Sequence, residues 1–182
     1  MPHIDLLELP YFDGISIDAV VSLIDRMEPR NFASGAVIMQ EADTVPPALY
    51  IATSGRVAIA KKNPSRQAER TLAELHSPTL FGEIEIFCQL PPVTTVRALT
   101  PVCTFRLTRT MFDTLLAENH PALMSFSFNV ARVACHRLAI ADELLATLLG
   151  GEDLVKMRHA VFNRMAGGQH WSRTTGVFKK PV

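Results

Sequence analysis

Cysteine is scarce in this chain of 182 residues. Cys88, Cys103 and Cys135 stand far apart and form no C-x-x-C pair, so they do not suggest a disulfide framework, and an iron–sulfur cluster, which takes about four cysteines, has no ligand set. Histidine does not make up the deficit. His3, His76, His120, His136, His159 and His170 lack the close spacing that a metal site needs, and Cys135 and His136 would point about 100 degrees apart on a helix. These side chains read as packing or surface residues, with Cys88 alone kept open as a redox-responsive thiol. No G-x-S-x-G elbow, Walker loop or H-E-x-x-H pair occurs. The expectation is a protein without catalytic residues or a metal. Long apolar runs are missing as well. The longest stretch free of Asp, Glu, Lys and Arg runs from Asn119 to Ala131, too short to span a bilayer. Asp5, Glu8, Asp13 and Asp18 near the start oppose a secretory leader, and the chain is expected to be cytoplasmic. Its net charge is zero.

What is present reads as helix, barrel, helix and tail. Ile17, Val20, Val21, Ile24 and Met27 follow helical periodicity behind a Ser16 cap. From Phe32 to about Thr108 the pattern changes to brief apolar runs: 37–39, 49–52, 56–60, 70–75, 94–98 and 102–107. Gly35, Gly55 and Gly82 fall where the chain must turn. Short strands at this spacing predict a sandwich, barrel or jelly roll. A long helix is predicted over 121–149, entered by Pro121. It carries two apolar stripes, one through Leu123, Phe126, Val130, Val133, Ile140 and Leu144, interrupted by Arg137, the other through Phe128, Ala131, Cys135, Leu138, Leu145 and Leu149. A single stripe suffices to dock a helix on its own barrel. The second stripe either forms a homodimer or is covered within the chain by a helix at 152–166.

The most informative segment is 81–98, FGEIEIFCQLPPVTTVRA. Gly82 permits a backbone path closed to other residues and lets a ligand approach the main chain. Glu83 to Ile86 can form one helical turn, whose free N–H groups suit an anion. The run resembles the phosphate-binding cassette of the cyclic-nucleotide-binding domain family, F-G-E-(L/M/I)-A-L-x(4)-P-R-(A/S)-A-T-V-(R/K)-A, and aligns to it without a gap. E-A-D at 41–43, L-Y-I at 49–51 and S-G-R-V at 54–57 extend the likeness to about residues 5–149. It implies a mainly β fold, a double-stranded β-helix (jelly roll) with flanking α-helices. It also implies a domain at 1–149, with 150–182 left as a short helix and a basic flexible tail and no DNA-binding domain. The ligand-binding positions carried over are Phe81, Gly82, Glu83, Ile84, Glu85, Pro92, Val93, Thr94 and Thr95, with Glu83 set to accept from a ribose hydroxyl.

Two departures limit what the resemblance carries. The family's arginine falls on Pro92, and its small residue after G-E-(L/M/I) falls on Glu85. A charge-assisted hydrogen bond to phosphate contributes roughly 1.5 to 3 kcal/mol, on the order of ten- to a hundredfold in affinity. Pro92 supplies neither charge nor donor, and a carboxylate at Glu85 repels a phosphate. The resemblance therefore implies a non-enzymatic regulatory module with weak or absent binding of cyclic AMP and cyclic GMP. Its effector is either a less anionic small molecule or none. No cofactor is expected beyond a possible cyclic nucleotide or related effector. The expected partners are a second copy through helix 121–149 and a separate protein. Nucleic acid is not expected, because no reading helix follows the barrel. The alternative is a structural interaction domain that kept the fold and lost the ligand. Residues 154–182 hold Lys156, Arg158, Arg164, Arg173, Lys179 and Lys180 without Asp or Glu, a tail suited to nucleic acid, anionic lipid or an acidic partner, or simply to solvent.

Overall fold

Ser16 opens a helix as the sequence predicts. Its side chain accepts from the Ala19 amide, and α2 runs over Ile17–Asp25 after a single turn, α1, at Ile4–Leu7 and a 3-10 turn at Pro10–Phe12. The computed structural model describes residues 4–62, 68–148, 156, 170–172 and 177–179. It divides into two units, Met1–Ala134 and Cys135–Val182.

The first unit is built on eight strands: β1 Glu28–Phe32, β2 Val37–Met39, β3 Ala48–Ser54, β4 Arg56–Lys62, β5 Glu69–His76, β6 Thr79–Phe81, β7 Thr95–Ala98 and β8 Val102–Thr108. They form two four-stranded antiparallel sheets ordered β1-β8-β3-β6 and β2-β7-β4-β5. This is the jelly roll the sequence predicts. The predicted strand positions correspond to β2, β3, β4, β5, β7 and β8. Missing from the expectation are β1, β6 and helix α4, Arg109–Ala117. Strand β1 is polar and holds Pro29, so it lacks an apolar signature. Helix α4 did carry a readable one. Thr108 caps it by accepting from the Met111 amide, and Met111, Phe112 and Leu115 recur at helical spacing.

Strand β3 is buried along most of its length, because both faces of its sheet are covered. Ala48, Tyr50 and Ala52 face an inter-sheet core with Phe81, Val57, Val96 and Val102. Leu49 and Ile51 point the other way, into a larger cluster with Leu6, Leu23, Ile24, Leu115 and Phe126 from the helices. The alternation is the period-two rule of a strand. Burial of a large apolar side chain contributes roughly 1.5–3 kcal/mol, so this helical layer is a principal source of stability. Phe12 stacks on Phe126 with centroids 5.4 Å apart, and Tyr50 on Phe81 at 5.3 Å.

Helix α5 spans Leu123–Leu148. Its first turns belong to the first unit, where Leu123, Phe126, Asn129 and Val130 are buried. The Asn129 side chain donates to the carbonyls of Tyr11 and Asp13, and Arg132 pairs with Asp13 at 2.7 Å. His120, just ahead of α5, accepts the Ala122 amide at Nδ1, so Nε2 carries the proton and donates to Ser22 at 3.0 Å. Burial holds its pKa below the usual histidine value, in keeping with that neutral tautomer. In the second unit Leu138, Ile140, Leu144 and Leu148 are exposed. The expected helix at 152–166 lies outside the described residues except for Lys156. Within the tail, β9 His170–Ser172 pairs antiparallel with β10 Val177–Lys179.

Candidate ligand cassette between strands β6 and β7

The chain leaves β6 at Phe81, buried in the inter-sheet core, and turns at Gly82 with φ of +86°. A Cβ at this position would stand 2.3 Å from the Ala48 carbonyl oxygen, so both the backbone conformation and the close approach demand glycine. Helix α3 follows over Glu83–Cys88 and ends on Gln89, itself in the left-handed region. Glu83 is half-buried in the first turn, Ile84 is exposed, and Ile86 is buried in the helical-layer core. Arg109 at the start of α4 donates to the Ile86 carbonyl at 2.9 Å, and Phe87 packs edge-on against Phe112. The cassette helix is thereby fastened to α4.

Glu85 is 3% exposed. Its Oε1 accepts the Val93 amide at 2.9 Å, across the return of the loop. Burial raises its pKa above the ordinary 4.5, opposed by the backbone N–H bonds and reinforced by the charge of Glu83. Pro92 is buried, and its carbonyl accepts the Ala42 amide at 2.8 Å. The Val93 carbonyl accepts from Lys61 Nζ, whose ammonium also pairs with Glu41 at 2.9 Å. Glu41 in turn accepts the Lys62 amide at 2.8 Å. That backbone bond, followed by the Lys61 ammonium, holds the Glu41 carboxyl below the usual range. Thr94 is half-buried, while Thr95 is buried and its Oγ1 accepts from Gln40 Nε2 and the Glu41 amide.

Of the nine residues predicted for the site, Glu85, Pro92, Val93 and Thr95 are drawn into one polar network; Phe81 supports it from the core, and Ile84 faces outward. Sequence reasoning missed Lys61, Glu41 and Gln40 as members. The signal for Glu41 was present in the E-A-D turn. Ala42 in that turn has φ of +62°, a conformation that glycine would adopt freely. Arg97 in β7 is half-buried and donates to the Gly35 carbonyl at 3.2 Å. Among the described residues no group of His, Cys, Asp and Glu could hold a metal ion, and no helix is long and apolar enough to cross a membrane.

A glycine-entered helical turn with its return loop, set between two strands of a jelly roll, defines a ligand-cassette barrel. The chain belongs to the cyclic nucleotide-binding domain family, whose model matches residues 29–119. It is 26% identical to the CRP-like cAMP-activated global transcriptional regulator of Mycobacterium tuberculosis over 76% of this chain and 59% of that protein. The chain spans 42% and 59% of the length of two curated relatives from Mycobacterium tuberculosis. The solved Catabolite Activator Protein of Thermus thermophilus superposes with a TM-score of 0.69 at 26% identity, covering 77% of this chain and 63% of that one. A fold likeness at 22% identity and a TM-score of 0.60 covers 71% of this chain and 44% of its counterpart. That counterpart is the regulatory subunit of a cAMP-independent protein kinase A from Trypanosoma brucei. It was solved as a mutant bound to cAMP in its A site, with a glutamate changed to alanine and, seven and eight positions on, a threonine to arginine and a valine to alanine.

Proposed function

We propose that this protein is a non-enzymatic regulatory module of the cyclic-nucleotide-binding type that binds cyclic AMP and cyclic GMP weakly or not at all and acts on a separate partner. The observation that carries this reading is the state of the cassette. Pro92 stands where the family holds its phosphate-binding arginine, and the buried Glu85 carboxylate has taken the adjacent Val93 amide. A cyclic phosphate would meet a negative charge and lose its cationic grip. The spacing of Glu85, Pro92 and Val93 equals that of the three residues changed in the cAMP-bound trypanosome mutant, which supports the reading by position.

Output runs through α5. Met124 and Phe128, four positions apart on α5, are 71% and 68% exposed. Three-four spacing of exposed apolar residues suits a second copy of this helix, and a homodimer formed there presents the signal to the partner. The functional domain is 1–149, with 150–182 as an appendage. A second reading, an interaction domain with no ligand at all, is favoured by the internal bonding of the cassette loop.

Titration calorimetry decides the main claim. The wild-type protein is expected to show no low-micromolar affinity for cyclic AMP, whereas the combined E85A, P92R and V93A variant should gain roughly ten- to a hundredfold or more, the size of a restored charge-assisted contact. Low-micromolar binding by the wild type sinks the proposal. Thermal stabilisation of the wild type by a member of a small-molecule library would favour a sensor over an interaction domain.

A further inference from the structure

The polar groups of residues 92–93 can be accounted for one by one. Proline has no N–H. The Pro92 carbonyl takes the Ala42 amide, the Val93 amide goes to Glu85, and the Val93 carbonyl takes the Lys61 ammonium. Each donor and acceptor of this pair is engaged by the protein's own atoms. Burying a carboxylate is costly unless donors hold its oxygens, and the Val93 amide does so for Glu85 at 2.9 Å. A backbone amide aimed at a buried carboxylate is the arrangement of an anion site, here with the anion attached to the chain.

Resting on the functional reading above, we infer that Glu85 occupies in cis an anion subsite of the cassette, formed at the Val93 amide and selective for a small carboxylate-type monoanion. An external anion must displace a tethered competitor, whose effective concentration is in the millimolar range or above. Glu85 is thus a specificity determinant that turns anions away. It also holds the loop after α3 in one conformation without a ligand, since the Val93 amide is satisfied before any effector arrives.

Truncation exposes the subsite. In Glu85→Ala the Val93 amide loses its acceptor, and its hydrogen exchange, followed by NMR, accelerates about tenfold or more. Formate or acetate, but not chloride, slows it again by the factor one plus concentration over Kd. Glu85→Gln offers an oxygen at the same reach, keeps the Val93 amide protected and ignores formate. In the wild type, formate and inorganic phosphate leave the Val93 amide resonance unmoved. The inference is overturned if Glu85→Ala retains wild-type protection, if formate acts no better than chloride, or if either anion shifts the wild-type resonance. Should Glu85→Ala fail to fold, loss of Val93 protection in Glu85→Gln, or an anion response in the wild type, overturns it equally. Tight cyclic AMP binding by the wild type would sink this inference together with the functional reading. A formate-insensitive Glu85→Ala beside a wild type that ignores cyclic AMP would sink the inference alone.

Discussion

The cassette loop and the outer side of α5 manage their surfaces in opposite ways. At the cassette, a charged side chain is buried and the polar groups of Pro92 and Val93 are bonded within the protein. On α5, large apolar side chains such as Met124 and Phe128 stand in solvent. A region whose bonding is complete gains little from a visitor, whereas exposed apolar area gains free energy when covered. Under the function proposed above, this difference assigns recognition to the helix rather than to the barrel.

Two phenylalanines on α5 test that contrast most strongly. Phe126 is 0% exposed in the helical-layer core, and Phe126→Ala is expected to cost about 3–5 kcal/mol in chemical denaturation. Phe128→Ala should change monomer stability by no more than about 0.5 kcal/mol, yet lower the sedimentation-derived dimer population. Equal costs at the two positions would break the comparison. Next in size is Gly82→Ala, which forces a Cβ against the Ala48 carbonyl in a left-handed conformation. A loss of about 1–3 kcal/mol is expected, read from the denaturation midpoint. Glu85→Gln sharpens the cassette side through pH. The folded pKa of Glu85 is raised by burial, so its stabilising contribution is present below the ordinary 4.5 and is lost as pH rises through the folded value. The glutamine variant should therefore melt slightly above the wild type at neutral pH, and the two should converge in acid. The smallest effect belongs to Ala42→Gly. Relief of the positive φ, offset by the flexibility of glycine, should stabilise by about 0.5 kcal/mol.

Much of this architecture was legible because its signals are local. Ser54-Gly55 marked the reversal between β3 and β4, and Ser16 marked the start of α2. Gly82 was legible for a physical reason that the structure repeats, a backbone path only glycine takes. Strand β1 was not legible, since its pairing with β8 lies some seventy positions away in sequence and its own residues are polar. The cassette network escaped for the same reason. Lys61 reaches Val93 and Glu41 across 32 and 20 positions, and no pattern within β4 announces such a bond. The sequence pointed to Glu85 as an anion facing the ligand space. Its bond to the Val93 amide required the return loop to be placed first.

Strand β3 is the partition between two hydrophobic rooms. Tyr50 looks into the barrel, while Leu49 and Ile51 look toward the helices. A rotation or slide of the helical layer therefore pushes on the same strand that lines the barrel, and a swelling of the barrel is felt on the far side through adjacent residues. One strand thus serves as a wall common to the helical layer and the barrel.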